Sequence, residues 1–112
     1  MGHATHHAIV VSSFDEKLAI KAHRKAYAMF YSVSGILISQ VNAEYSFFIP
    51  TDGSKDGWAE SEAGDKQRKA FMDWCDSQAH EDGSNSLQAV EMFYHDENNK
   101  AGIVRHTGIE YT

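Results

Sequence analysis

The run Ser46-Phe47-Phe48-Ile49-Pro50-Thr51-Asp52-Gly53-Ser54-Lys55-Asp56-Gly57-Trp58 carries an apolar strand into a polar loop that ends on an indole. Glycine at positions 53 and 57 can hold φ > 0 and turn backbone N–H groups outward, while Asp52, Ser54 and Asp56 offer oxygens at alternate positions. Such a loop can bind a ligand. Asp52-x-Ser54-x-Asp56-Gly57 also copies the first half of a calcium loop, yet Ala63 stands where a bidentate glutamate belongs and the preceding element reads as a strand. The loop is therefore expected to be a turn-rich connection into a helix. Trp58 either plugs that helix against the sheet or stands out as an anchor for a partner or a flat ring.

A second group lies near the C-terminal end, where Glu91, His95, Arg105 and His106 fall among apolar strand positions. A hairpin turning on Asn98-Asn99 would set Glu91 opposite His106 and Met92 opposite Arg105. Arg105, with Phe93 and Tyr94 nearby, has the planar donor fork and the aromatic company that suit an anionic, nucleotide-like ligand. If His95, His106 and Glu91 converged with Asp52 and Asp56, the set would serve a small hydrolase or metal-dependent enzyme. There are 7 histidines but no His-Glu-x-x-His or Cys-x-x-Cys spacing, so neither metal nor cofactor is expected. His3, His6 and His7 crowd a terminus whose Met1-Gly2-His3 resembles a cloning remnant, and residues 1–5 are expected to be frayed or partly cloning-derived. His3-Ala4-Thr5 and His106-Thr107-Gly108 resemble the paired motifs of the two-histidine phosphoesterases, but Gly108 replaces the hydroxyl that the second motif needs.

Composition narrows the classes. The chain has 112 residues, 42% of them hydrophobic and 12% aromatic, which is one domain with enough apolar mass for a core. A net charge of −6 argues against general nucleic-acid binding, since that needs clustered cations. The carboxylates Asp52, Asp56, Glu60, Glu62 and Asp65 admit a DNA-mimic reading, although they equally suit a solvated helix start. The single Cys75 sits beside Trp74 as a small buried filler, and with no signal-peptide pattern the expected compartment is the cytoplasm. No apolar run is long enough to span a bilayer.

The elements that must position these groups follow from periodicity. His6 to Val11 reads as a buried strand, and Ser13 with Glu16 has capping-box spacing for a helix predicted to end near Ser32 to Gly35. Leu18, Ala19, Ala22, Ala26, Met29 and Phe30 form its apolar stripe, opposite Lys17, Lys21 and Arg24. Ile36 to Ile38 and Tyr45 to Ile49 read as strands around a turn at Asn42, and Pro50 closes the second. Glu60 to Ala79 reads as a helix whose core side is Ala63, Gln67, Ala70, Phe71, Trp74 and Cys75, with Gly64 weakening its first turn. Leu87 to His95 and Ala101 to Thr107 make a hairpin. The predicted class is α+β, a two-layer sandwich with the β-α-β-β-α-β order of ferredoxin-like folds and an extra C-terminal hairpin strand.

Ser46 to Trp58, followed by Ser61-x-x-Gly64-Asp65 and later by Glu81-Asp82-Gly83-Ser84, resembles small uncharacterised proteins encoded by bacteriophages and prophages. The resemblance covers nearly the whole chain and implies a context, the host cytoplasm, rather than a chemistry. Proteins of that kind often bind a host defence component or sequester a nucleotide signal. With no triad, phosphate-gripping loop or metal set in view, the expected function is a non-enzymatic binding protein for a host protein or a nucleotide-like ligand. It is expected to act as a homo-oligomer, with Asp52, Ser54, Asp56, Trp58, Glu91, Arg105 and His106 as candidate ligand contacts.

Overall fold

The computed structural model describes residues 4–96 and 100–108. β1 (Thr5–Ser13) alternates, with Ile9, Val11 and Ser13 buried while Val10 is exposed. This is the period-two signature of a strand with one covered face, whereas the unbroken run Ala8 to Val11 predicts a strand buried on both. Thr5 opens β1 and Ala4 is buried, so the expected fraying does not reach these two residues.

The chain then turns into α1 (Glu16–Met29), whose first turn is capped by Asp15: its side chain accepts the Leu18 N–H at 3.2 Å. Ser13 was the predicted cap, but it stays in the strand ladder and its hydroxyl donates to the Ser86 carbonyl at 2.7 Å. Ala19, Ala22 and Ala26 form the buried stripe, and their small size lets the helix lie close to the sheet. The helix ends earlier than expected. Phe30 turns extended, and Ser34 is drawn alongside the next strand, accepting the Phe48 N–H on its hydroxyl at 2.8 Å.

β2 (Leu37–Ile38) and β3 (Tyr45–Ile49) pair across a turn in which Asn42 and Ala43 both hold positive φ, 64° and 47°. Pro50 closes β3 as expected. α2 (Ala59–Asp76) buries Gly64, Arg68, Phe71, Met72 and Cys75. The predicted face is corrected here: Ala63, Gln67 and Ala70 point to solvent, and the core stripe runs through a glycine and an arginine instead. β4 (Leu87–His95) and β5 (Ala101–His106) form the terminal hairpin. Its register differs from expectation. Nearest the turn Tyr94 pairs with Ala101 and Met92 with Ile103, two residues off the predicted register, and a bulge then takes one residue back, so that Glu91 pairs with Arg105 and Val90 with His106. The Asn98-Asn99 turn lies outside the described residues.

The five strands form one antiparallel sheet in the order β2-β3-β1-β4-β5, and with two helices the chain is of the α+β class predicted for it. Both helices cover the same face. Ala22, Ala26, Phe71, Met72 and Cys75 meet Ile9, Val11, Phe47, Ile49, Leu87 and Ala89 in a single core. Cys75 is fully buried there, and desolvation pushes its thiol up to about 12, so it is packing rather than nucleophile. Among the described residues no helix is long and apolar enough to cross a membrane.

Candidate functional site

Ionisable side chains break the apolar pattern of the helix-covered face at His7 on β1, Glu91 on β4 and Arg68 on α2. Each sits where its element's period demands burial. His7 precedes Ile9 and Val11 in the alternation, Glu91 follows Leu87 and Ala89, and Arg68 lies one helical turn from Gly64 and from Phe71 and Met72.

Arg68 is only 7% exposed and Glu91 5%. The guanidinium lies among three carboxylates: Asp65, one turn back on α2, is hydrogen-bonded to it, Glu91 stands 3.6 Å away, and Asp52 3.7 Å away. His7 Nδ1 lies 3.4 Å from the same Glu91 carboxylate. Two buried nitrogens in this group, His7 Nδ1 and Arg68 Nε, make no hydrogen bond. Both lie against Glu91 Oε2, held by charge rather than by a well-formed hydrogen bond, which is a costly arrangement for buried groups.

Gly64 makes the arrangement possible. A Cβ at that position would stand 2.6 Å from Asp52 Oδ2 and 3.0 Å from an Arg68 guanidinium nitrogen. Its role is thus to give room to a carboxylate crossing from the loop after β3. Asp52 itself is held by Ser54, which donates both its backbone N–H at 2.9 Å and its hydroxyl at 2.6 Å to Asp52 Oδ1. Partial burial would raise the Asp52 pKa, but the two Ser54 hydrogen bonds and the nearby Arg68 outweigh it and hold the carboxyl below its ordinary value. Gly53 and Gly57 take the positive φ expected of them, 75° and 88°.

Beside this group opens a cavity of about 380 Å³. Ile9, Phe30, Ile49 and Pro50 supply apolar wall, His7, Asp52 and Arg68 the polar side, and Tyr31 and Glu60 the rim. Tyr31 is fully exposed at its mouth. A cavity of this size with a few converging polar groups is the usual form of a small-molecule site.

The sequence candidates are thereby divided. Asp52 and Glu91 both meet at Arg68, which with His7 was not anticipated. Ser54 orients Asp52. Asp56 is turned away from it and accepts the Thr5 hydroxyl at 2.9 Å; that hydroxyl also lies 3.1 Å from His95 Nδ1, so loop and hairpin are tied together there. Trp58 is half exposed just ahead of α2, with the Lys55 ammonium 5.9 Å over its ring.

Arg105 lies on the helix-covered side of the sheet, donating to Asp73 at 2.8 Å and to Asp76. These carboxylates raise its pKa, chiefly through the bond to Asp73 and against some desolvation. His106 pairs with Val90 on β4 and its ring meets the Thr107 carbonyl at 2.9 Å. His95 thus reaches the Asp56 end of the loop through Thr5, whereas His106, paired with Val90 farther along the hairpin, does not join them. Among the described residues no three or more His, Cys, Asp or Glu side chains are grouped to hold a metal ion.

No protein-family model, curated protein or solved structure matches the chain.

Proposed function

We propose that this chain is a non-enzymatic binding protein that holds a small, flat, uncharged ligand in the cavity beneath Tyr31. A ligand edge carrying adjacent N–H and C=O groups would give its hydrogen to Asp52 and take one from the side of the Arg68 guanidinium that faces Asp52. The body of the ligand would lie on Ile9, Ile49 and Phe30, with Tyr31 free to stack over it. A nucleobase or nucleoside belongs to this chemical class.

The observation that carries the reading is the nine-tenths-buried Arg68, facing Asp52 at 3.7 Å on the wall of an apolar cavity. Charge supports the uncharged form of the ligand. One guanidinium is already surrounded by Asp52, Asp65 and Glu91, and Glu60 stands at the rim. A phosphate entering there meets carboxylates in excess, each costing on the order of 3 kcal/mol at ~5 Å and an effective dielectric constant of ~20. The nucleotide-like ligand is thus narrowed to its base.

The scaffold is best read as ferredoxin-like with one added edge strand, supported by the element order and by the adjacency of β3, β1 and β4. In the phage setting implied by the resemblance, such a chain would act as an accessory or anti-defence factor by withdrawing a small host molecule. The hydrolase alternative has less support, because His95 and His106 stand in environments apart from the cavity.

Calorimetric titration with free nucleobases, nucleosides and their phosphates tests the proposal. The expected result is measurable binding of at least one base or nucleoside, weakened tenfold or more by a 5′-phosphate and abolished by Asp52→Asn with Arg68→Lys. Tighter binding of the phosphorylated form, or binding that survives both substitutions, would overturn it.

A further inference from the structure

We propose that the sheet face left open by the helices is a self-association surface, on which a second copy of this chain packs face to face. The pairing register places Leu37 opposite Ser46, Val10 between Phe48 and Val90, Met92 opposite Ile103, and Tyr94 opposite His6, all on this one face. Leu37 is 71% exposed, Ile103 63%, Tyr94 45% and Phe48 42%, so the apolar surface runs from one edge of the sheet to the other without a covering layer. A row of this kind on an antiparallel sheet is ordinarily polar, since the uncovered face meets water.

Charge selects the occupant. The chain carries 26 formally charged side chains, 10 basic and 16 acidic, yet the positions on this face hold none of them between its edges. Its polar members are Ser12, Ser46, Gln88, His6 and His106, and Asp96 reaches it only at a corner, bonded to His6. Two copies that each carry a net charge of −6 repel one another broadly, and a neutral face is where they can meet without setting carboxylate against carboxylate. A basic peptide or a nucleic acid would find no counter-charge here.

The contact is isologous, with the same residues on both sides of a two-fold axis. Five strands ~4.8 Å apart along ~17 Å of length present at most on the order of 400 Å² of plane per copy, about half of the ~800 Å² per partner of a standard interface, so the dimer should be weak and rapidly reversible. This surface lies across the sheet from the core that carries the cavity, and its assembly does not depend on what the cavity binds.

Sedimentation velocity on the intact chain from about 1 to 500 µM tests it. The expected result is a concentration-dependent rise from the monomer mass to twice that mass. Phe48→Glu should weaken the association at least tenfold, whereas Tyr27→Glu, also exposed but on α1 and off this face, should leave it unchanged. Tyr94→Glu provides a second probe at the other side of the sheet, with far-ultraviolet circular dichroism confirming that each variant folds. A chain that remains monomeric throughout, or a dimer that survives both Phe48→Glu and Tyr94→Glu, would overturn the proposal.

Discussion

Two arginines tie α2 to the sheet, and they do so in opposite ways. Arg105 reaches up from β5 near the helix C-terminal end and donates to Asp73 and Asp76 in water, with Lys69 also donating to Asp73 at 2.8 Å. Arg68 reaches down from the middle of the helix into the protein, where Asp52 and Glu91 stand at 3.7 and 3.6 Å and Nε makes no hydrogen bond. The exposed group is satisfied and latches the hairpin. The buried one is incompletely satisfied beside a cavity. The difference shows where an ion pair is purely architectural and where it leaves capacity for something else to bind.

The contrast can be broken most directly at Arg68. Arg68→Ala leaves Glu91 charged and buried without a cation, and should cost about 3–5 kcal/mol in a denaturant titration. Replacing both partners, Arg68→Met with Glu91→Leu, should restore most of that stability while abolishing ligand binding, because an apolar pair of similar volume removes the desolvation cost together with the donor. If the double variant were as unstable as the single one, the buried pair would be structural after all.

Gly64→Ala sharpens the same point on a smaller scale. In an exposed helix interior the change stabilises by about 1 kcal/mol, but here the added methyl meets the Asp52 carboxylate at 2.6 Å. Lower thermal stability and weaker ligand binding are expected; a rise in melting temperature would show that Asp52 is not needed near Arg68.

Arg105→Ala should cost less than about 1 kcal/mol, as befits a solvated pair. Its effect is best read against pH. Asp73 is held below its ordinary 3.8, first by the Lys69 bond and then by the Arg105 bond, and Asp52 is likewise lowered. A carboxyl whose folded pKa lies below its unfolded one stabilises the fold above the unfolded value and loses that contribution as pH falls through the folded value. Stability should therefore be level near neutrality and decline below about pH 4, with Asp73→Asn or Arg105→Ala flattening part of that acid limb. An unchanged acid limb in both variants would remove the latch from the account.

Much of this architecture could be read along the chain. The apolar run of β1, the alanine-rich stripe of α1, the turn at Asn42 and the proline after β3 are local signals, and each depends on residues within a few positions of one another. Even the site left traces: His7, Ile9, Val11 and Leu87, Ala89, Glu91 keep a period of two, and Gly64, Arg68, Phe71, Cys75 keep a helical one. What misled was residue type. Glycine and arginine read as surface, so the stripe of α2 was set one residue off before Phe71, while Phe71 and Cys75 are buried as predicted; the hairpin register differs by two at the pairs nearest its turn, and a bulge that no local motif announces takes one back.

Local hydrophobic order was enough to specify which segments become strand or helix, because water acts on each side chain where it stands in the period. The meeting of Asp52, Arg68, His7 and Glu91 came only from tertiary packing. Those four belong to a loop, a helix and two strands far apart in the chain, and their mutual electrostatics exists only once the helix lies across the sheet.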